Sequence, residues 1–230
     1  MLIKADFHLH AREDKHDAVP YSAKELIDHL AARGYKAASL TFHDQYYTNK
    51  ELQDYAKSRG ITLIPGTERT IEGAHILILN AKQEEIDTIT TLEDLKKIKR
   101  KDTLIAPSHP FFLLNAIGNR IGKHLDSIDA IEYCHFYLPF LNLNRKTVAI
   151  AKKHNKPLLG NSDSHYLFQL GHTYSIIEAE RNDAQSIITA IKQGKVHAVS
   201  KPLDMWTFFK ISLYLFILMP LKVWRRGGHH

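Results

Sequence analysis

Residues 1–10 read MLIKADFHLH. Positions 2–7 have the character of a β-strand, and that strand runs directly into a His-x-His pair. Side chains two positions apart on a strand share a face, so His8 and His10 are placed to reach a single ion. Taken alone, the pair is weak evidence for a metal site, and two half-buried histidines on a strand explain it more readily. The choice depends on whether the rest of the chain repeats the arrangement.

It does. A second strand, 36–42, ends at His43 and Asp44. A third, 61–65, is followed by Glu68 after Pro65-Gly66. A fourth, 74–79, carries His75. The strand at 104–106 leads to His109 inside Pro107-Ser108-His109-Pro110. The strand at 128–133 has Glu132 near its end. The strand at 157–159 leads to Asp163 and His165, which repeat the spacing of His8 and His10. A late strand covers 174–177. Helices fall between the strands: 22–33, with Ser22 as N-cap, Glu25 completing a capping box and Gly34 as the stop; 48–59, closed by Gly60; 92–100; 141–154; and 183–193, stopped by Gly194. This alternation predicts a mostly parallel sheet, either a barrel or doubly wound. In such folds the carboxyl ends of the strands converge on the active site, and the histidines and acids fall there. Imidazole with carboxylate suits Zn²⁺, Mn²⁺ or Fe²⁺, and the lack of thiol ligands excludes structural zinc.

Composition sets the outer bounds. A chain of 230 residues with 44% hydrophobic and 24% charged residues is an ordinary folded protein, one domain with a short appendage. The single cysteine, Cys134, excludes an internal disulfide framework and points to a reducing compartment. The amino terminus has no apolar h-region, so no secretory leader and a cytoplasmic location are expected. The net charge is +6, of which the stretch from Lys201 onward holds +4, so the first 200 residues are close to neutral. That distribution argues weakly for nucleic acid and better for an acidic surface such as the inner face of a membrane. His229 and His230, after Gly227-Gly228, are read as a tag remnant and set aside.

The motifs resemble the PHP (polymerase and histidinol phosphatase) superfamily. The matching stretches are Asp6-Phe7-His8-Leu9-His10, Thr41-Phe42-His43-Asp44, Gly66-Thr67-Glu68, His75, Ser108-His109-Pro110, Ile131-Glu132-Tyr133 and Asn161-Ser162-Asp163-Ser164-His165, in family order over residues 1 to about 178. The resemblance implies a distorted seven-stranded β/α barrel over residues 1–200, holding two to three divalent ions (Zn, Mn or Fe). By that resemblance His8, His10, Glu68 and Asp163 hold the first ion. Glu68 bridges to a second, with His75 and His109, and His16, His43 and His165 hold a third. His16 follows His10 by the six residues found in trinuclear phosphatases of the family. If it is instead a loop histidine in solvent, Asp14 and Asp17 are the substitutes. The Thr-Phe-His-Asp stretch departs from the family's Thr-Asp-His, which leaves an acid missing near His43. Glu132 either orients a ligand histidine or caps its strand.

The implied activity is phosphate-ester hydrolysis by a metal-bound hydroxide, with Asp163 and His165 at the catalytic centre. Arg12 and Arg69, each next to or two residues from a predicted ligand, are candidates for a phosphate clamp. A small-molecule phosphomonoester is the expected substrate. A phosphodiesterase or exonuclease on nucleic acid is the alternative, disfavoured by the near-neutral barrel; a non-catalytic metal-binding module is a third reading. The segment 201–226 stands apart as a hydrophobic, basic helix. Trp206 and Trp224 sit where interface aromatics belong, Lys210 and Lys222 break the apolar run, and Pro220 ends or bends the helix. Residues 205–224 are therefore expected to meet a membrane surface, an oligomeric partner, or the barrel itself.

Overall fold

The computed structural model describes residues 1–112 and 114–218. Ten strands and seven α-helices alternate along it. The strands are β1 (Leu2–Leu9), β2 (Ala37–Leu40), β3 (Thr62–Leu63), β4 (Gly66–Ile71), β5 (Ala74–Leu79), β6 (Leu104–Pro107), β7 (Ile131–Tyr133), β8 (Leu158–Gly160), β9 (Thr173–Glu178) and β10 (Val196–Ser200). The helices are α1 (Ala23–Ala32), α2 (Lys50–Ser58), α3 (Gln83–Asp87), α4 (Leu95–Ile98), α5 (Asn144–Lys153), α6 (Ala184–Lys192) and α7 (Met205–Leu213).

The strands pair into three sheets, ordered β10-β9-β1-β2-β3, β4-β5-β6 and β7-β8. These sheets adjoin one another, with β2 beside β4, β6 beside β7, and β8 beside β9 and β10. Hydrogen-bonded closure into one continuous barrel is not present among the described residues. The expectation of a mostly parallel sheet needs correction. Only β1–β2, β2–β3 and β7–β8 are parallel, while β1–β9, β9–β10, β4–β5 and β5–β6 are antiparallel. The reason is local at β4–β5. Glu72 and Gly73 both have positive φ (49° and 73°), the tight turn that reverses a chain into a hairpin. The meeting of β8 and β9 is close as well: a Cβ at Gly160 would collide with the Tyr174 carbonyl.

Helix signals in the sequence translate directly. Ser22 caps α1 and forms the capping box with Glu25. Asn49 caps α2 by accepting from the Leu52 amide. The central core joins Ile3, Ala5, Phe7, Leu77, Leu104 and Leu159, with Ile187 and Ile191 of α6. A second cluster packs α3, α4 and α5 on the outer face of β4-β5-β6, and a third packs α1 and α2 on β1 and β2.

The tail is not detached. Asp204 caps α7 through the Thr207 amide, and Ile211 and Tyr214 are each 1% exposed. Phe208 stacks on Phe136 at 4.3 Å, and a π-helical stretch, Tyr214–Leu218, continues the helix. No helix among the described residues is long and apolar enough to cross a membrane. The expectations placed on Pro220, Lys222, Trp224, Arg225 and Arg226 lie outside the described residues.

Candidate metal centre

The site begins at the end of β1. Ile3, Ala5 and Phe7 belong to the central core, and the register of β1 on β2 then shifts between Asp6 and Leu9. A shift of this kind re-aims side chains, and here it brings His8 and His10 to the centre while Leu9 joins the cluster under α1. Both imidazoles are fully buried.

Two carboxylates fix how the rings face. Glu132 Oε1 accepts from His8 Nδ1 at 2.9 Å, and its Oε2 accepts the His109 amide at 2.6 Å. Asp14 Oδ2 accepts from His10 Nδ1 (3.0 Å) and from His43 Nδ1 (2.9 Å). A carboxylate only accepts, so each Nδ1 carries a proton, and each Nε2 is the atom left for an ion once its own proton is displaced. Glu132 is thus the orienting group rather than a simple strand cap. Asp14 supplies the acid that the Thr-Phe-His-Asp stretch had left missing beside His43.

At the centre sits Glu68, 1% exposed. Its Oε1 lies 3.1 Å from His8 Nε2, 3.0 Å from His75 Nδ1 and 3.5 Å from His109 Nε2. Its Oε2 lies 3.3 Å from His43 Nε2 and 3.6 Å from His10 Nε2. Asp163 Oδ1 is 3.3 Å from both His8 Nε2 and His10 Nε2. Two donor atoms held tetrahedrally at about 2.1 Å from an ion are about 3.4 Å apart, which is the spacing found here. The buried His8 Nε2, His10 Nε2 and Glu68 Oε1 have no hydrogen-bond partner among the described residues. Buried polar atoms are rarely left so, and donors of this chemistry at this spacing fit divalent ions. Two ligand candidates pay in backbone strain for their positions: His109 and Asp163 are held at positive φ, 29° and 47°.

The expected site residues divide cleanly. His8, His10, His43, Glu68, His75, His109, Asp163 and His165 come together. His165 does so through Asp17, whose Oδ2 lies 2.8 Å from its Nε2. The Asp163–His165 pair is not a strand pair, however. β8 ends at Gly160, and a left-handed turn at Asp163 makes the approach. His16 does not join. It is exposed, its amide donating to Asp14 Oδ1, and the buried Asp14 and Asp17 take its place beside His10, His43 and His165. Neither arginine forms a clamp here. Arg12 points outward, donating to the Pro20 carbonyl. Arg69 follows Glu68 on β4, and neighbouring strand residues face opposite ways. It therefore lies on the outer side with its register partner Ile76, paired to Asp44 at 3.2 Å.

Without an ion the cluster is a dense salt network. Burial opposes charge on His8, but the Asp163, Glu68 and Glu132 carboxylates outweigh it and raise its pKa well above the usual range. For His10, burial is likewise outweighed by Asp14 and Asp163, and its pKa is pushed up to about 10. Burial would raise Glu68 and Asp163, but the surrounding histidines hold both well below the carboxylate range. These directions yield a prediction. A ligand imidazole must be neutral, so an ion has to displace protons that the carboxylates retain, and affinity rises with pH. Calorimetric titration with Mn²⁺ in buffers of different ionisation enthalpy should show proton release at each step between about pH 6 and 8. Affinity independent of pH would contradict this. A second prediction concerns Glu132→Gln, which weakens the hold on His8 Nδ1. Loss of such a supporting group costs about 10- to 100-fold in metal affinity, and competition with a chelator measures it. Unchanged affinity would mean that Glu132 only braces its strand.

Comparison with known proteins bears on the fold. A family described as PHP-associated matches residues 142–196. A two-domain protein of Bacteroides vulgatus containing a predicted PHP-like metal-dependent phosphoesterase superposes with a TM-score of 0.67 at 19% identity, covering 87% of this chain and 65% of that one. The chain shares the fold of this PHP-like protein, and its residues 142–196 carry the PHP-associated match. The chain is also similar to PsfC of Pseudomonas syringae, with a TM-score of 0.67 at 15% identity over 92% and 96% of the two chains. The lesion-specific endonuclease of Pyrococcus furiosus gives 0.59 at 16% identity over 86% and 58%. The chain thus spans less than two thirds of the Bacteroides and Pyrococcus proteins. No curated protein matches its sequence.

Proposed function

We propose that this chain is a metal-dependent phosphomonoesterase acting on small molecules. The observation that carries the reading is the convergence of six histidines on two carboxylates, the buried Glu68 and the partly exposed Asp163, with unpartnered donor atoms at ligand spacing. His8, His10, Glu68 and Asp163 would hold one ion; Glu68, His75 and His109 a second; and His43 and His165, with Asp14 and Asp17 near them, a third. Bound there, two or three Zn²⁺, Mn²⁺ or Fe²⁺ ions supply an activated water at neutral pH and neutralise phosphate oxygens. Glu132 and Asp14 keep the His8, His10 and His43 rings turned inward. Asp6 ties the two motif loops together, accepting the amides of His8 (3.3 Å) and Ser162 (3.1 Å). With Arg12 and Arg69 turned away, charge compensation of the phosphate falls to the ions.

The choice of a small molecule over nucleic acid is supported by the cavity beside these donors, about 120 Å³, which has no Lys or Arg among its described lining residues. A nucleic-acid groove is built from such cations. The likeness to an endonuclease is what favours the second reading, a phosphodiester of nucleic acid. 4-Nitrophenyl phosphate, its bis ester and a labelled oligonucleotide, each with Mn²⁺, Zn²⁺ and Fe²⁺ in turn, separate the readings. The monoester should be cleaved fastest. Faster cleavage of the oligonucleotide would overturn the small-molecule assignment. His109→Ala should remove at least about 99% of turnover at saturating metal, since a lost ligand weakens a contribution of several kcal/mol; near-normal turnover would misplace the second ion.

The exposed Met205, Trp206 and Phe209 of α7, beside Lys210, support the reading that the tail also meets an anionic lipid surface or a partner copy. Sedimentation with anionic liposomes tests this. Full-length protein that stays in the supernatant would exclude the membrane.

A further inference from the structure

We infer that the esterified group of the substrate is an apolar chain or ring. This rests on the phosphomonoesterase reading and names its substrate class. The cavity has two unlike sides. One is the donor cluster. The other is formed by Phe112, Leu114, Cys134, Phe136 and Phe216. A phosphate bound at the donors has its ester oxygen directed along a wall that offers van der Waals contact and few hydrogen bonds. The polar members of that wall are Asn115, which is exposed, and His135.

The wall is built rather than incidental. Phe112 meets the His109 ring at 6.0 Å and Phe136 at 5.4 Å, edge to face in both cases. Phe136 in turn stacks on Phe208 of α7 at 4.3 Å. The same tail brings Phe216 to the cavity and buries Tyr214 against His165 and Tyr166. Aromatic side chains fixed in this way form a pre-organised surface that needs little ordering on binding. A sugar or glycerol hydroxyl placed there would lose its water without gaining a partner, which disfavours polyol and nucleoside esters. The volume is close to that of cavities that hold a benzene ring, on the order of 150 Å³.

Primary alkyl phosphates from ethyl to hexyl provide the test, because their leaving groups have nearly the same basicity. With metal-loaded full-length enzyme, kcat/KM should rise about fourfold per methylene until the cavity is filled. Propyl phosphate should exceed glycerol 1-phosphate by at least tenfold, about 1.4 kcal/mol. Phe136→Ala should flatten the series. Because that residue also braces α7, Phe216→Ala, which alters a 45% exposed side chain, gives an independent second measure. A flat series in the unaltered enzyme, with ethyl phosphate still hydrolysed, would overturn the inference and leave the phosphomonoesterase reading standing. The same rise in both variants as in the unaltered enzyme would overturn the assignment to this wall. Cleavage of diesters with no monoester turnover would overturn both.

Discussion

Glu68→Gln is expected to lower phosphoesterase turnover about a thousandfold or more, equivalent to about 4 kcal/mol of transition-state stabilisation. The size follows from position. Glu68 is the only side chain whose two oxygens lie within 3.6 Å of five different histidines among the described residues. Glutamine keeps the shape and removes the charge. It replaces one acceptor oxygen with an amide NH₂, which cannot ligate an ion and repels a protonated imidazole. Two of the proposed ions share this carboxylate, so both are weakened by one substitution. Activity at saturating metal, together with bound metal per chain, checks the outcome. A variant within tenfold of the unaltered enzyme would show that Glu68 is a structural acid and that the chemistry lies elsewhere.

Truncation after Pro202 is expected to destabilise the protein by at least about 4 kcal/mol, because losing a single buried Ile or aromatic side chain alone costs roughly 2–5 kcal/mol. The truncation removes three fully buried side chains, Leu203, Ile211 and Tyr214, and the Phe208 ring stacked on Phe136. It also removes the Leu203 amide bond to the Tyr137 carbonyl, 2.9 Å. The midpoint of urea unfolding should fall markedly, and the cavity beside the donors should lose its Phe216 wall. An unchanged midpoint would mean that the tail merely rests on the rest of the fold.

The sequence announced the centre more fully than its surroundings. The grouping of His8, His10, His43, Glu68, His109 and Asp163 was legible because motif spacing records it. The orienting acids were less legible. Asp14 and Asp17 lie in a run of charged loop residues, where nothing in the pattern separates a buried carboxylate from a solvated one. Only the folding back of that loop buries them. Arg12 and Arg69 show the opposite limit, since neither turns toward the cluster. Nearness in sequence to a ligand says nothing about which way a side chain faces, and on β4 the alternation that turns Glu68 inward turns Arg69 out. Mixed strand direction escaped as well, although Glu72-Gly73 carries a hairpin signal. Neither β4 nor β10 is among the strands expected from the sequence. For the tail, the apolar run was plain, but an apolar face does not say what covers it. Ile211 and Tyr214 turn out to be buried, Tyr214 against His165 and Tyr166.

The central claim is that these histidines and carboxylates form a multinuclear metal site, and elemental analysis of the purified protein tests it most directly. Protein prepared with ample Mn²⁺, Zn²⁺ and Fe²⁺ should carry two to three ions per chain, as expected when six histidines and two carboxylates share buried donor atoms. Fewer than one ion per chain under those conditions would contradict the account.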